Sequence, residues 1–491
     1  MNMISPQRHE YLDDDPAFPS TLVVATLFVG AFFGYLNETL LNVALPTLMQ
    51  EFSVDRTTVQ WIATGFLLVM GALTPLTASL VQWMATRRLV LLTLGTFLLG
   101  SLVCAAAPGF GILLAGRLVQ GASAALMVPL LMNAVLVIYP PERRGRIMGM
   151  VGMIFSMAPA LGPTLSGIIL DHVGWRWLFL LTVPLVLVAM LLVARFLKVP
   201  LVPVTRPRID MFSVMLSVFG FGGLVYASSR FSEESGSTLA VLLPVSLLMV
   251  LAFVLRQFRL KVPLLNLRAF GHAQFAYAVL ILAGNLFLLL GMELLMPMYA
   301  QQVLLLSATV TGIVLLPGSI AQAMLMPLFG SLLDRRGGRF VVLPGTLMAA
   351  ACLLAMRLTF NGTAPAWWLA TLFGLFLAGG AAIMVAETGG LNALPRSLNP
   401  HGAAIVATLN PIAGALGAAF FVGIIRMGEQ LSATKPNNAV EPMGYAVDAG
   451  VAALSEAARQ RMLAGVHLAL GIAPLVALLM AWAASRLIRS R

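Results

Sequence analysis

Apolar residues run through this chain in long blocks separated by short polar connections. Fourteen blocks of about 20 residues stand out, at about 21–45, 58–82, 88–107, 110–138, 147–170, 177–197, 211–229, 237–255, 274–298, 309–333, 340–359, 365–386, 402–425 and 464–485. A helix of about 20 apolar residues spans the hydrocarbon of a bilayer. The pattern therefore predicts an all-α polytopic membrane protein with fourteen transmembrane helices. One connection is long and polar: it covers 427–463, contains Pro436-Asn437-Asn438 and is predicted to end in a short helix around 449–463. Ahead of the first block stand Glu10 and Asp13-Asp14-Asp15, where a secretory signal would carry positive charge. Residues 1–20 therefore read as a tail rather than a cleavable leader.

Composition narrows this further. Of 491 residues, 59% are hydrophobic and 10% charged, and the mean hydropathy is +0.94. Soluble domains hold about a quarter charged residues, and disordered chains are poor in apolar ones, so both classes are excluded. The net charge of +11 does not point to nucleic acid, because no basic run is interleaved with aromatics. It points to orientation. With the N-terminus placed in the cytoplasm, 21 of the 30 Lys and Arg fall in cytoplasmic connections or tails, 8 fall outside, and Arg117 lies within a helix. Positive residues favour the cytoplasmic side, so both termini are expected there, in the inner membrane of a bacterium. Cys104 and Cys352 sit in apolar runs and the five histidines show no paired ligand spacing, so neither a disulfide, a metal nor another cofactor is expected. No phosphate-binding loop is present, which leaves an ion gradient as the energy source.

The chain carries an internal echo. Residues 75–87, PLTASLVQWMATR, and 327–339, PLFGSLLDRRGGR, share Pro, Leu, Ser, Leu and Arg at an offset of 252. Each joins the second and third helices of a six-helix block. Repeated bundles build alternating access in secondary transporters. The predicted organisation is a tail (1–20), an N-terminal six-helix bundle (21–200), two inserted helices (201–260) and a C-terminal six-helix bundle (261–491).

Charges inside apolar helices are the candidates for chemistry, since each costs several kcal/mol unless it faces a cavity or a partner. Arg117 is one; its alternative role is a structural arginine satisfied by carbonyls. Among the acids, Glu38 and Glu293 lie well within blocks, and Glu387 lies at the end of one. For each, a protonated or hydrogen-bonded interior glutamate is the competing reading. Tyr35 and Asn42 share the face of Glu38 at i−3 and i+4, placing them in a candidate substrate cavity. Met150, Met153 and Met157 share one face of the fifth helix; flexible thioethers suit an adaptable pocket, although packing in an apolar helix is the favoured reading. In the same helix Ala158, Gly162 and Ser166 form a small-residue stripe that permits close helix approach, and Pro159 and Pro163 favour a kink.

These motifs together resemble the fourteen-helix drug:proton antiporters of the major facilitator superfamily, the EmrB/QacA-like branch. The run from Ala158 to Gly167, with Gly162, Pro163 and Gly167 in register, is similar to that family's antiporter motif GxxxGPxxGG. Asn42-Val43-Ala44-Leu45-Pro46 matches its NVALP ending, Arg117-Leu118-Val119-Gln120-Gly121 its RxxQG motif, Gly174-Trp175-Arg176-Trp177 its segment before the sixth helix, and Gly330 through Arg339 its GxLxDRxGxR loop. The resemblance runs from about residue 20 to 425. It implies the major facilitator fold, a coupling role for Arg117, a place for Gln120 and Asn37 in the cavity, and conformational roles for Gly330, Asp334, Gly337 and Arg339. The family's usual acid on the first helix falls at Asn37 here, and the acid stands at Glu38. In the first repeat the loop motif is worn to Ala78, Gln82, Ala85 and Arg87, so the first-block latch is expected to be the weaker.

The function expected is proton-coupled export of small amphiphilic compounds. The alternative is a same-fold exporter of one metabolite, such as a siderophore or an amino-acid derivative. An enzyme is not expected, because interior polar groups are sparse. The partners expected are the substrates, protons and the lipid bilayer, with a periplasmic adaptor protein as a further one and the monomer as the working unit.

Overall fold

In hydrocarbon every backbone N–H and C=O must be satisfied within the protein, and for apolar runs of this length the helix does so. The computed structural model describes residues 12–14, 19–54, 56–197, 204–205, 210–230, 236–433 and 456–487. Its α-helices are α1 (Ser20–Phe52), α2 (Arg56–Leu73), α3 (Thr77–Trp83), α4 (Thr86–Ala105), α5 (Phe110–Ile138), α6 (Pro141–His172), α7 (Arg176–Leu180), α8 (Thr182–Phe196), α9 (Met211–Arg230), α10 (Gly236–Arg259), α11 (Ala273–Met298), α12 (Ala308–Arg336), α13 (Gly338–Thr359), α14 (Ala366–Met384), α15 (Ala386–Asn392), α16 (Asn399–Ala433) and α17 (Glu456–Ser485). No strand occurs among the described residues. Twelve helical stretches there are long and apolar enough to cross a membrane. The predicted blocks at 147–170 and 211–229 are helical as α6 and α9 but fall outside that set; the apolar part of α9 is Met211–Leu224.

Three predicted single helices are interrupted. Thr74–Leu76, around Pro75, form a 3-10 turn between α2 and α3. Leu181 separates α7 from α8, and Val385 separates α14 from α15. The last break carries the helix past its predicted end to Asn392, so Glu387 begins a new turn instead of closing a helix. The long polar connection is shorter than 427–463. Its flanks are rich in helix formers, Met427–Ala433 and Glu456–Leu463, and they continue α16 to Ala433 and begin α17 at Glu456. Residues 434–455, with Pro436-Asn437-Asn438, lie outside the described residues, as do most of residues 1–20.

Large apolar side chains such as Leu92, Leu191, Met324 and Leu358 are exposed around the bundle, which suits a surface solvated by lipid. Helix α9 attaches along α2, and α10 packs on α9. Trp61 of α2 stacks on Tyr226 of α9 at 5.2 Å, and Ser217 donates to the Ala72 carbonyl at 3.1 Å. Asp210 binds the Arg256 guanidinium at 2.6 Å, fastening the start of α9 to the end of α10. The inserted pair thus leans on the N-terminal half.

The two halves meet most closely where α6 crosses α12. A methyl group on Gly330 would lie 2.0 Å from the Gly145 carbonyl oxygen, and one on Gly149 2.5 Å from that of Met326. Glycine at these positions lets two backbones touch. The Ala158, Gly162 and Ser166 stripe is also buried, but Ala158 packs within the N-terminal half against Leu36, Leu40 and Leu41 of α1. The sequence places a close-approach stripe on the right helix, and the contact between halves uses glycines about two and a half to three and a half turns earlier.

Candidate functional site

Two polar constructions interrupt the apolar interior. The first surrounds Arg117 on α5, which is fully buried. Its Nη1 donates to Asn37 Oδ1 of α1 and, at 2.9 Å, to Gln120 Oε1. Its Nε donates to the Ile62 carbonyl of α2 at 3.3 Å, and the guanidinium lies 4.3 Å from the Phe66 ring centroid. Gln120 passes the network on, donating to Ser101 Oγ of α4 at 2.8 Å, and Thr182 of α8 donates to the same hydroxyl at 3.3 Å. Five helices of the N-terminal half therefore converge on one cation. Carbonyl and amide oxygens stabilise the guanidinium, and the ring face adds a cation–π contact. Asn37, one residue from Glu38, brings α1 directly against this charge.

The second construction is the seam between halves. Asp334, near the end of α12, accepts from the backbone N–H of Gly145 at 2.7 Å and of Arg146 at 3.0 Å. Both donors lie near the start of α6, where a carboxylate gains from the helix dipole. Gly337 joins α12 to α13 at φ +79°, a conformation that suits glycine, and Arg339 follows in the first turn of α13. One residue before Gly145, Arg144 is buried and crosses to the other half: it donates to Asn392 Oδ1 of α15 at 2.8 Å, to the Tyr139 carbonyl at 2.8 Å and to the Leu136 carbonyl at 2.5 Å. Arg144 is one of the 21 charges assigned to the cytoplasmic side by the sequence; its three acceptors are what allow it to be buried. At the matching corner of the repeat, Gln82 at the end of α3 meets His401 Nε2 of α16 at 3.3 Å, while His401 Nδ1 accepts from the Asn266 N–H at 3.2 Å.

The remaining candidates are spread between these places. Tyr35 is half-buried on α1, and the side chains of Glu38, Asn42 and Pro163 lie outside the described ones. Glu293 is half-buried on α11, away from Arg117 in the other half, and makes no hydrogen bond or ion pair with a described residue. Met153 is partly buried against the main core and Met157 is half-buried, whereas Met150 is exposed. Gly162 is buried, and a methyl group on Gly167 would meet nothing within 4 Å. The glycines at 145, 149 and 152, Arg144, Asn392 and His401 were not singled out from sequence. The Gly145-x-x-x-Gly149 spacing was a readable signal; the partners across the seam were not.

Membrane-length helices in two chain halves, joined at a glycine crossing and holding a buried cation, define a polytopic α-helical membrane protein. The model of the Major Facilitator Superfamily matches residues 27–422, and the chain belongs to that family, one of transporters and not enzymes. It is 38% identical over 435 residues to the lincomycin resistance protein LmrB of Bacillus subtilis (strain 168), covering 87% of this chain and 91% of that one. It is 29% identical over 401 residues to the multidrug resistance protein B homolog of Mycobacterium tuberculosis (strain ATCC 25618 / H37Rv), covering 80% and 73%. Among solved structures, the human organic anion transporter MFSD10 (TETRAN) superposes with a TM-score of 0.63 at 17% identity, covering 95% of this chain and 99% of that one; this likeness concerns the fold.

Proposed function

We propose that the chain is a proton-coupled antiporter of the fourteen-span EmrB/QacA-like branch, exporting small amphiphilic compounds across the cytoplasmic membrane as a monomer. Both termini face the cytoplasm, so the seam lies on the cytoplasmic face and the structure is a cytoplasm-closed state. The observation that carries the reading is the buried Arg117, bonded to α1 and α2, linked through Gln120 to α4, and pressed against α1 beside Glu38. A fixed cation favours the ionised form of a nearby carboxylate, so a change in its distance from an acid between states changes proton affinity. The relatives named for lincomycin and multidrug resistance support drugs as the cargo.

The test is dye accumulation in everted vesicles driven by a pH gradient, across a panel of unrelated compounds. Arg117→Ala is expected to abolish accumulation while insertion persists. Glu38→Gln and Glu293→Gln, compared side by side, are expected to include at least one that loses the pH dependence. Transport of a single metabolite only, or gradient-independent transport by the wild type, would overturn the reading.

A further inference from the structure

Glu387 stands in the first turn of α15, just after the break at Val385, and is 7% exposed. Its Oε1 has no hydrogen-bond partner among the described residues. It borders a narrow crevice of about 10 Å³, scarcely the room one water needs. The cavity wall is shared between halves: Met148, Gly149 and Gly152 come from α6, Met326 from α12, and Met384 and Thr388 from the helices of Glu387 itself. This pocket is therefore a product of the closed seam. Withdrawing α6 removes one wall and admits water.

Among the described residues, no other titratable side chain lines the cavity. The charged groups on the elements packed around it are placed elsewhere. On α6, Arg144 donates to Leu136, Tyr139 and Asn392, and Glu142, Arg143 and Arg146 are outside the wall. On α12, Asp334 is bound by the Gly145 and Arg146 amides, and Arg335 and Arg336 follow it toward the helix end. Tyr277 and Glu293 on α11, Arg339 and Arg357 on α13 and His401 on α16 also lie outside it, and α14 carries no charged residue. An ionised carboxylate buried among thioethers and glycines with an unpartnered oxygen is strongly disfavoured, whereas the neutral acid is tolerated.

We propose that Glu387 is a proton-binding site that must be filled for the seam to close. Opening the seam hydrates the carboxyl, and its proton passes to water on that face. Closure requires its return. Proton binding and closure are thus one linked equilibrium. This goes beyond the antiport reading and does not depend on which acid carries the transported proton.

The experiment uses the full chain in lipid nanodiscs, with spin labels on cysteines at exposed Arg88 of α4 and Phe340 of α13; the native Cys104 and Cys352 are buried. Distances are measured across roughly pH 5 to 9, spanning the range in which buried carboxyls titrate. The wild-type closed fraction should fall as pH rises, by at most about tenfold per pH unit for one proton. Glu387→Gln, permanently neutral, should stay closed at every pH. Glu387→Met, matched to the apolar wall, should do the same and serves if the amide variant misfolds. Asp334→Asn should keep a pH dependence. A wild type without pH dependence, a neutral variant that retains it, or its loss only in Asp334→Asn would each overturn the proposal.

Discussion

The seam has two corners related by the internal repeat, and they are built differently. At the α12 corner a carboxylate, Asp334, receives two backbone N–H groups near the start of α6, and the backbones touch through Gly145 and Gly330. At the α3 corner a neutral amide, Gln82, meets an imidazole in the first turn of α16. His401 Nδ1 accepts from Asn266, so in the neutral ring Nε2 carries the hydrogen. Gln82 Nε2 faces it while also donating to the Ala78 carbonyl at 3.1 Å. Whichever way the amide is turned, one of its contacts is lost. Charge-assisted bonds are roughly twice as strong as neutral ones, so the α12 corner holds the seam and the α3 corner follows. A single residue type, aspartate against glutamine, sets that order.

The largest break should come from the backbone contact. Gly330→Leu or Gly145→Leu would drive a side chain into the facing carbonyl, where overpacking costs about 1–3 kcal/mol or more. Export should fall to background in cells that still make the protein. At the other corner, Gly402→Ala should be mild, because the added methyl meets the ends of Leu394 and Leu391, not backbone.

Next in size is Asp334→Asn. The amide keeps one acceptor and turns a donor toward the second N–H, losing about 1.5–3 kcal/mol, the value of a hydrogen bond to a charged group. The closed population should drop tenfold or more, read from label distances. Gln82→Ala should cost no more than about 1 kcal/mol, as a neutral bond does. Gln82→Asp would sharpen the comparison from the other side: a carboxylate accepting from His401 Nε2 should raise the closed fraction and slow reopening.

The smallest effect concerns a pair off the seam. The Arg256 guanidinium and Ser213 hold Asp210 well below the usual carboxylate range. A lowered folded pKa means the stabilisation is present at neutral pH and lost as pH falls through it. Asp210→Asn should therefore lower the melting temperature slightly at pH 7. The gap to wild type should close under strong acid, and the seam distance should be unchanged.

Much of this organisation was legible in the residues. Long apolar blocks gave the helices because length and hydropathy are local properties, and the offset of 252 gave the two corners. Asp334 and Gln82 were readable as unequal because charge is written in the residue type. Their receptors were not, since the Gly145 amide and His401 lie 189 and 319 residues away. Arg144 read as a connection charge because burial of an arginine depends on acceptors brought by other helices. The break at Leu181 is marked by Pro184, which has no N–H for the Leu180 carbonyl; the break at Val385 has no such mark, so the sequence places Glu387 at the end of a helix when it begins one behind the seam.

The claim that one charged corner holds the halves together is tested most directly by a single distance. Paired labels at Arg88 and Phe340 would be compared in wild type, Asp334→Asn and Gln82→Ala at one pH. The asymmetric seam predicts a longer distance population in Asp334→Asn and a nearly wild-type distribution in Gln82→Ala. Equal shifts in the two variants, or none in either, would contradict it.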